Sequence, residues 1–470
     1  MRKIILVIFI LIAGLSSYSQ DSLFHYLDIA IKNNPGILRN FAEYKASLEK
    51  VPQVGSIPDP ELSTGIFLSP MELISGKQVA DFRLMQMFPW FGVLRSARDE
   101  MSLMAKAKYE LFRDAKFQVG FDVQRTWYEL NKIKQNIKIS EQNIALLHVI
   151  ERLAITRFKA APTGNNSSST LPGPSASIKD VQSGSSGMNS MKGSTGSNTG
   201  YAPPAAPMQV SSMGSSTGGS GLSDVYRIQI EIGDLQNNVQ LLNSQFNTLI
   251  AQFNSYMSRP PENNVVLPDS LVADPFKPVL NSMNDSLSAN PMLEMIKYEQ
   301  KSLDARKQMV SRMGYPMVGI GLNYSSISKN DMSTSTMNGK DMIMPMVTLT
   351  LPIYRKKYKA MQNEAALLKS ASIQNYKATA NSLQNEYYQA MQSYLSAERR
   401  IKLYNEQFML ASKSLNIMLK SFASAQTDIT GVLRISQQAH DYKYKQTEAV
   451  ADQNISIAWL KRLLAISQIQ

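Results

Sequence analysis

The chain has 470 residues, a formal net charge of +12 and no cysteine. The lack of cysteine excludes disulfides, thiolate zinc sites and cysteine nucleophiles. With only three histidines, far apart in sequence, a histidine-built metal site or catalytic triad is not predicted. Basic residues are mixed with acidic and amide residues along helical segments, so the charge indicates solvated helix faces rather than a nucleic-acid site.

The first 20 residues have the pattern of a secretory signal peptide. Arg2 and Lys3 precede a short apolar run, and small residues follow at Ser17 and Ser19. The run is shorter than the ~20 residues that a membrane-spanning helix needs. We expect cleavage near Ser19 or Gln20 and export of the mature chain. No cysteine lies near the cleavage site, so no lipid anchor is expected.

Two parts of the chain, 21–258 and 290–470, show the same order of elements. Each contains an Asn-Pro pair, beginning at Asn34 in the first part and at Asn290 in the second. A short helical pattern, two strand-like segments, a proline, a very long helical pattern and a return helix follow in both. This order predicts an internal duplication, with 259–289 as the connecting segment.

Long helical patterns dominate both halves, at 93–158 and 222–255 in the first and at 355–422 and 428–464 in the second. The longer helix of each half would measure about 100 Å at 1.5 Å per residue. Uncapped patterns of this length are typical of coiled coils or helical arrays. We therefore expect helical hairpins whose apolar stripes are covered by one another and by further chains.

Four shorter segments are predicted as strands, near 61–67, 79–88, 316–327 and 341–351. Apolar and polar residues alternate in the last three, and the segments have about the length of a tilted strand that crosses a bilayer. The same alternation also fits a soluble antiparallel sheet with one wet face. Membrane barrels begin at about eight strands, so a barrel would need several chains.

Two observations favour the membrane over the soluble sheet. The chain is predicted to be exported, and its few strands are joined to helices of about 100 Å. Aromatic residues also gather where strands meet helices, as in an interfacial girdle. These membrane-interface candidates are Phe88, Trp90, Phe91 and Tyr354.

The segment 161–221 does not belong to the repeat. It is rich in Ser, Gly, Thr, Asn, Pro and Met and has no apolar periodicity, so it cannot form a core. It lies where the first long helix turns back, whereas the second half makes the same turn in a few residues. We predict a disordered loop at the tip of the first helical hairpin.

The ordered set of motifs resembles the TolC family of outer-membrane efflux proteins. It comprises the two Asn-Pro pairs, strand entries at Pro58 and Pro316, and the strand exits FPWFG (88–92) and LPIY (351–354). Two hairpin turns add to it, one at 157–158 and 222–225 across the insert and one at 422–433. The resemblance covers essentially the whole mature chain.

The resemblance implies a mainly α fold with a membrane β-barrel. Three chains would form a homotrimer, in which a long coiled-coil-like α-helical barrel extends from a twelve-stranded β-barrel, four strands per chain. Such a protein lies in outer-membrane lipid and extends into the periplasm. It binds a periplasmic adaptor (membrane fusion) protein and an inner-membrane RND-type pump, and it conducts substrates passively. It is not an enzyme and needs no cofactor and no nucleic acid.

The resemblance also points to gate residues at the periplasmic hairpin tips. Asp224 matches the family's tip aspartate, and Phe422 replaces a tyrosine whose hydroxyl would bond to it, so that hydrogen bond cannot form. Arg434 stands where TolC has an inward acidic ring, and it would either make the entrance cationic or lie in a helix interface. Thr427 and Asp428, in the second turn, complete the candidate set.

The FPWFG exit resembles the heavy-metal (CusC/CzcC-like) branch of the family. Methionine is frequent, and thioether sulfur suits soft ions such as Cu(I). Strand methionines at 85, 87, 317, 344 and 346 fall on the polar or small-residue faces, where gap-filling packing is the alternative explanation. The insert supplies the candidate metal ligands, which low-complexity drift also explains: Met188, Met191, Met208 and Met213.

Three functions remain open on the sequence. The first is the exit channel of a tripartite pump for heavy-metal cations such as copper/silver or cobalt/zinc. The second is a channel of the same fold for drugs, small molecules or secreted peptides. The third is a periplasmic coiled-coil scaffold without a barrel. No carboxylate pair, phosphate loop or metal-ligand cluster indicates an enzyme.

Overall fold

The computed structural model describes residues 18–73, 75–160, 221–275, 287–424 and 426–466. Most of the predicted signal peptide and all but the last residue of the predicted insert lie outside these ranges. The helices and strands follow in chain order: α1 (Tyr18–Asn33), α2 (Pro35–Gly55), β1 (Glu61–Leu73), β2 (Gly76–Phe88), α3 (Val93–Ala160), α4 (Gly221–Tyr256), α5 (Pro291–Met313), β3 (Met317–Ser328), β4 (Met342–Thr350), α6 (Arg355–Ala423) and α7 (Ile429–Leu463).

The fold is mainly helical with one antiparallel sheet of four strands, which confirms this part of the sequence prediction. The helices α3 and α6 contain 68 and 69 residues, about 100 Å each at 1.5 Å per residue. The helix α3 packs along α4, α6 packs along α7, and α3 and α7 join the two hairpins. In the described ranges no helix is both long enough and apolar enough to pass through a bilayer.

Three apolar clusters hold the helices together. Each cluster buries the apolar side chains of a different part of the helices. One cluster, around Trp127 and Phe253, joins α1, α3 and α4 with the segment after α4. A second, around Tyr387 and Leu460, joins α5, α6 and α7. The third lies at the hairpin tips and joins both hairpins. Burial of each large apolar side chain contributes roughly 1.5–3 kcal/mol.

The two Asn-Pro pairs make the same contacts in the two halves. Asn34 caps α2, its Oδ1 accepting from the N–H of Gly36 at 2.9 Å, while its Nδ2 donates to the carbonyl of Tyr256 at 2.9 Å. Asn290 caps α5 in the same way, and its Nδ2 donates to the carbonyl of Leu463 at 2.9 Å. Each asparagine therefore joins the start of one helix to the end of the return helix of its half.

The sheet has the strand order β1-β2-β3-β4, with every neighbouring pair antiparallel. The edges are therefore β1 and β4. Because side chains directly opposite one another share a face, the register fixes the two faces across all four strands. One row reads Leu62, Leu84, Leu322 and Pro345, and the next row on the opposite face reads Ser63, Arg83, Asn323 and Met344.

The first strand is longer than the sequence indicated, running to Leu73 rather than to residue 67. The added part contains Pro70, which would interrupt a central strand because it has no N–H to donate. Pro70 lies in the register shift between Ile66 and Met71, where β1 does not pair with β2 residue by residue, so the missing N–H breaks no ladder bond to β2. The other strand and helix ends lie within three residues of the predicted ones.

Candidate functional site

The apolar face of the sheet is uncovered. Leu62, Ile66, Ile343 and Val347 are 67%, 75%, 64% and 78% exposed, and none of them belongs to a core cluster. On a soluble protein, an apolar surface of this continuity marks a contact with a membrane or another protein. The face and the two open sheet edges, β1 and β4, define the first candidate site.

The opposite face of the sheet is polar and carries small side chains. The Oγ of Ser325 donates to Asp81 at 3.0 Å, and Arg83 and Asn323 lie directly opposite each other on neighbouring strands. Nearer the helices the same face holds the glycines Gly319 and Gly321 with methionines beside them. This face has the composition of a water-facing surface, whereas the other has that of a lipid-facing one.

Aromatic side chains lie at the junction of strands and helices. Trp90 stacks on Tyr315, with ring centres 5.3 Å apart and planes inclined by 15°. Phe91 and Tyr354 are 88% and 85% exposed. The sequence prediction named Phe88, Trp90, Phe91 and Tyr354 but missed Tyr315, which is far away in sequence and comes close only through the pairing of β2 with β3.

The guanidinium of Arg312 also binds to this junction of strands and helices. The Nη1 of Arg312 donates to the carbonyl of Gly92 and to the Oγ of Ser96, both at 2.9 Å. Gly92 has a φ of +84°, and a Cβ there would lie 2.4 Å from the Nη1 of Arg312. The turn from β2 into α3 therefore requires glycine for its backbone angle, and a side chain there would also displace the Arg312 guanidinium from these contacts.

The hairpin tips form the second candidate site. The tip cluster contains eleven buried apolar side chains from α3, α4, α6 and α7. Phe422 is among the largest of them and is 1% exposed. Because both hairpins contribute to this cluster, the tips of one chain can separate only if Phe422 and its neighbours are exposed to water.

Arg157 bridges the two hairpins at this cluster. Its guanidinium carbon lies 5.0 Å from the ring centre of Phe422, within the range of a cation–π contact. Its Nη1 donates to the backbone carbonyl of Thr427 at 3.2 Å. The phenyl ring of Phe422 cannot form the hydrogen bond that a tyrosine hydroxyl would form. It instead contacts the guanidinium of Arg157. The sequence reading did not assign this role to Arg157.

Acidic side chains lie next to that bridge. Asp428 caps α7, its Oδ2 accepting from the N–H of Thr430 at 3.3 Å, and Arg227 donates to the Oγ1 of Thr430 at 2.9 Å. Burial raises the pKa of the Asp224 carboxyl, and the Asp428 carboxylate raises that pKa further, while Arg227 and Arg157 oppose the rise. The structure therefore brings four of the five predicted gate residues together.

Arg434 is the fifth. It is exposed on α7 and forms no ion pair with any residue in the described part of the chain. The methionines predicted as metal ligands at 188, 191, 208 and 213 lie outside the described residues. Among the residues that are described, no group of three or more His, Asp or Glu side chains could hold a metal ion.

Several solved structures of outer-membrane or channel proteins are similar to this chain. The chain matches a structure of CusC with a TM-score of 0.70 at 9% identity, covering 94% of this chain and 92% of that one. It matches the outer membrane protein VceC from Vibrio cholerae with a TM-score of 0.69 at 11% identity, covering 96% and 97%. It matches the MtrE outer membrane channel of Neisseria gonorrhoeae with a TM-score of 0.67 at 11% identity, covering 94% and 88%.

The chain has the TolC-type outer-membrane channel fold. This confirms the resemblance predicted from the sequence at the level of fold, over nearly the whole length of both partners. The TM-scores of the matches to CusC and VceC, 0.70 and 0.69, are nearly equal. The TolC-type fold therefore does not by itself distinguish the heavy-metal branch. No protein-family model and no curated protein sequence matches this chain.

Proposed function

We propose that this protein is the outer-membrane channel of a tripartite efflux system. In this proposal three chains form the pore, a periplasmic adaptor and an inner-membrane RND-type pump deliver the cargo, and the channel conducts it passively to the exterior. The chain performs no covalent chemistry and holds no cofactor. Its sheet lies in outer-membrane lipid and its helices extend into the periplasm after removal of the signal peptide.

The observation that carries the proposal is the uncovered apolar face on a sheet with two open edges. Open edges leave backbone N–H and C=O groups without partners, and in lipid each such group costs several kcal/mol. Pairing β1 of one chain with β4 of another removes both edges. Three chains with four strands each would close a cylinder with an even number of strands, within the range known for outer-membrane barrels.

The long helices also support association with further copies of the chain. On α6, Leu403, Leu410 and Ile417 repeat every seven residues and are 47%, 62% and 66% exposed. A seven-residue apolar repeat on an exposed helix face is typical of a seam against another helix. None of the described helices of the same chain covers this seam, which suits a helical barrel built from several copies.

Two lysine substitutions on β4 test the lipid-facing assignment. Val347→Lys places a charge on the uncovered apolar face, where burial in a bilayer costs about 2–4 kcal/mol near the midplane. Met344→Lys is the matched control, because Met344 is also exposed, on the same strand, and on the opposite face. Conductance in planar lipid bilayers and heat-modifiable migration on gels report insertion and assembly.

We expect V347K to abolish assembly in membranes and M344K to insert with altered conductance. A periplasmic coiled-coil scaffold would tolerate both lysines alike, because both positions would face water. Equal behaviour of the two variants, together with wild-type protein that stays soluble without detergent, would exclude the channel.

Heavy-metal cations such as copper/silver or cobalt/zinc are the cargo that we propose. The methionines on the polar sheet face and the FPWFG exit motif support this choice. A strain that lacks this protein should lose tolerance to these metals. It should keep its tolerance to dyes and detergents and its secretion of peptides. Loss of tolerance to dyes and detergents alone would assign the channel to drugs or other small molecules.

A further inference from the structure

The polar face of the sheet carries methionines beside two glycines of β3 at its helix-proximal end. Gly321 lies directly opposite Met85 on β2 and Met346 on β4, and Gly319 lies opposite Met87 and Thr348. The two glycines leave the middle strand without side chains at these levels. The methionines beside them therefore meet no side chain of β3 at these levels.

Two of the sulfur atoms converge on one point. The Sδ atoms of Met87 and Met85 lie 2.6 Å and 3.3 Å from the position that a Cβ would occupy on Gly319. The Sδ of Met85 is also 3.2 Å from the corresponding position on Gly321, and it accepts from the Oγ1 of Thr348 at 3.7 Å. Both thioethers thus lean over the glycine strip rather than away from it.

A third thioether is within reach from the other side. Neighbouring strands are ~4.8 Å apart, so the Cα atoms of Met85 and Met346, on either side of Gly321, are separated by about 10 Å. Methionine has an unbranched side chain with three rotatable bonds, which allows both side chains to extend over the glycine. Met346 is half-buried on the same face.

We propose that Met85, Met87 and Met346 form a binding site for a soft monovalent metal ion, Cu⁺ or Ag⁺. Neutral thioether ligands select soft ions over hard divalent ones. The chain has no cysteine, so thiolates do not compete for such an ion. The inference rests on the proposed function, which places this face on the inner wall of the channel, and it names the cargo at the level of ligand chemistry.

Ag⁺ titration of the full chain, purified in detergent, tests the site by calorimetry. The double variant Met85→Leu, Met87→Leu keeps the apolar volume but removes two sulfur atoms, and the expected result is a loss of affinity of about tenfold or more. Met346→Leu should weaken binding less. Met332→Leu is the control, because Met332 is a 91% exposed methionine in the loop after β3, away from Gly319 and Gly321, and this variant should bind as the wild type does.

Planar-bilayer conductance of the same preparations separates this inference from the proposed function. Variants that form normal channels but bind Ag⁺ more weakly than M332L support the site. Normal channels with unchanged Ag⁺ affinity in the double variant overturn the site and leave the channel function standing, since the thioethers then serve only to fill space above the glycines. Absence of channels in the wild type would instead refute the proposed function.

Discussion

Replacement of Phe422 by alanine should open the hairpin tips. The ring is 1% exposed, belongs to the cluster shared by both hairpins, and binds the Arg157 guanidinium on one face. A buried Phe→Ala change costs about 3–5 kcal/mol, of which the lost cation–π contact accounts for roughly 0.5–1 kcal/mol. At 1.4 kcal/mol per factor of ten, a loss of about 3 kcal/mol raises the population of opened tips by about 100-fold.

Amide hydrogen exchange measured by mass spectrometry resolves this effect by segment. Peptides from 411–424 and 426–436 should exchange about 100-fold faster in F422A, because exchange there requires local opening. Peptides covering the cluster around Tyr387 and Leu460 should not change. Phe158→Ala is the matched control at the same tip, since Phe158 is 50% exposed and lies outside the cluster.

Two results would refute this reasoning. If F422A and F158A increased tip exchange equally, burial of the ring would not be what holds the tips. If F422A accelerated exchange throughout the chain, the tip cluster would not open as a separate unit.

Three further predictions concern single contacts. Asn290→Ala should lower the free energy of unfolding by about 1–3 kcal/mol in thermal melts, because it removes a helix cap and leaves the buried Leu463 carbonyl unpaired. Burial raises the pKa of Asp224 above 3.8, so the packed tip should gain stability as pH falls through that raised pKa; Asp224→Asn should remove this part of the pH dependence of tip exchange. Gly76→Ala should reduce the yield of assembled protein on gels, because Gly76 has a φ of +127° and a Cβ there would lie 2.4 Å from the Ser328 carbonyl oxygen.

The elements of this fold are readable from the sequence because the signals are local. Alternation at 316–327 and the long helical periodicity at 355–422 each depend on neighbours within a few residues. The same reasoning located Asn34 and Asn290 as helix starts. It could not show that both amides also bind the ends of return helices, since those partners lie 222 and 173 residues away.

The candidate sites were less accessible to sequence reasoning for the same physical reason. The absence of a hydroxyl at Phe422 was visible in the sequence, but its replacement by a contact with Arg157 depends on how two hairpins pack. Pro70 hid the second part of β1, because a proline is tolerated where the ladder is irregular, and that irregularity depends on the pairing with β2. The convergence of Met85 and Met87 over glycine depends on the register between β2 and β3.

The paired asparagine contacts have a consequence for how such a chain can be built. In each half the asparagine at the start of one helix binds the end of the return helix. Each half is therefore a hairpin module whose first and last helix ends lie next to each other. We expect that a module of this kind can be added or removed without changing where the neighbouring modules begin and end. In the proposed three-chain channel, which contains six modules, six single-module chains or two chains of three modules would supply the same number.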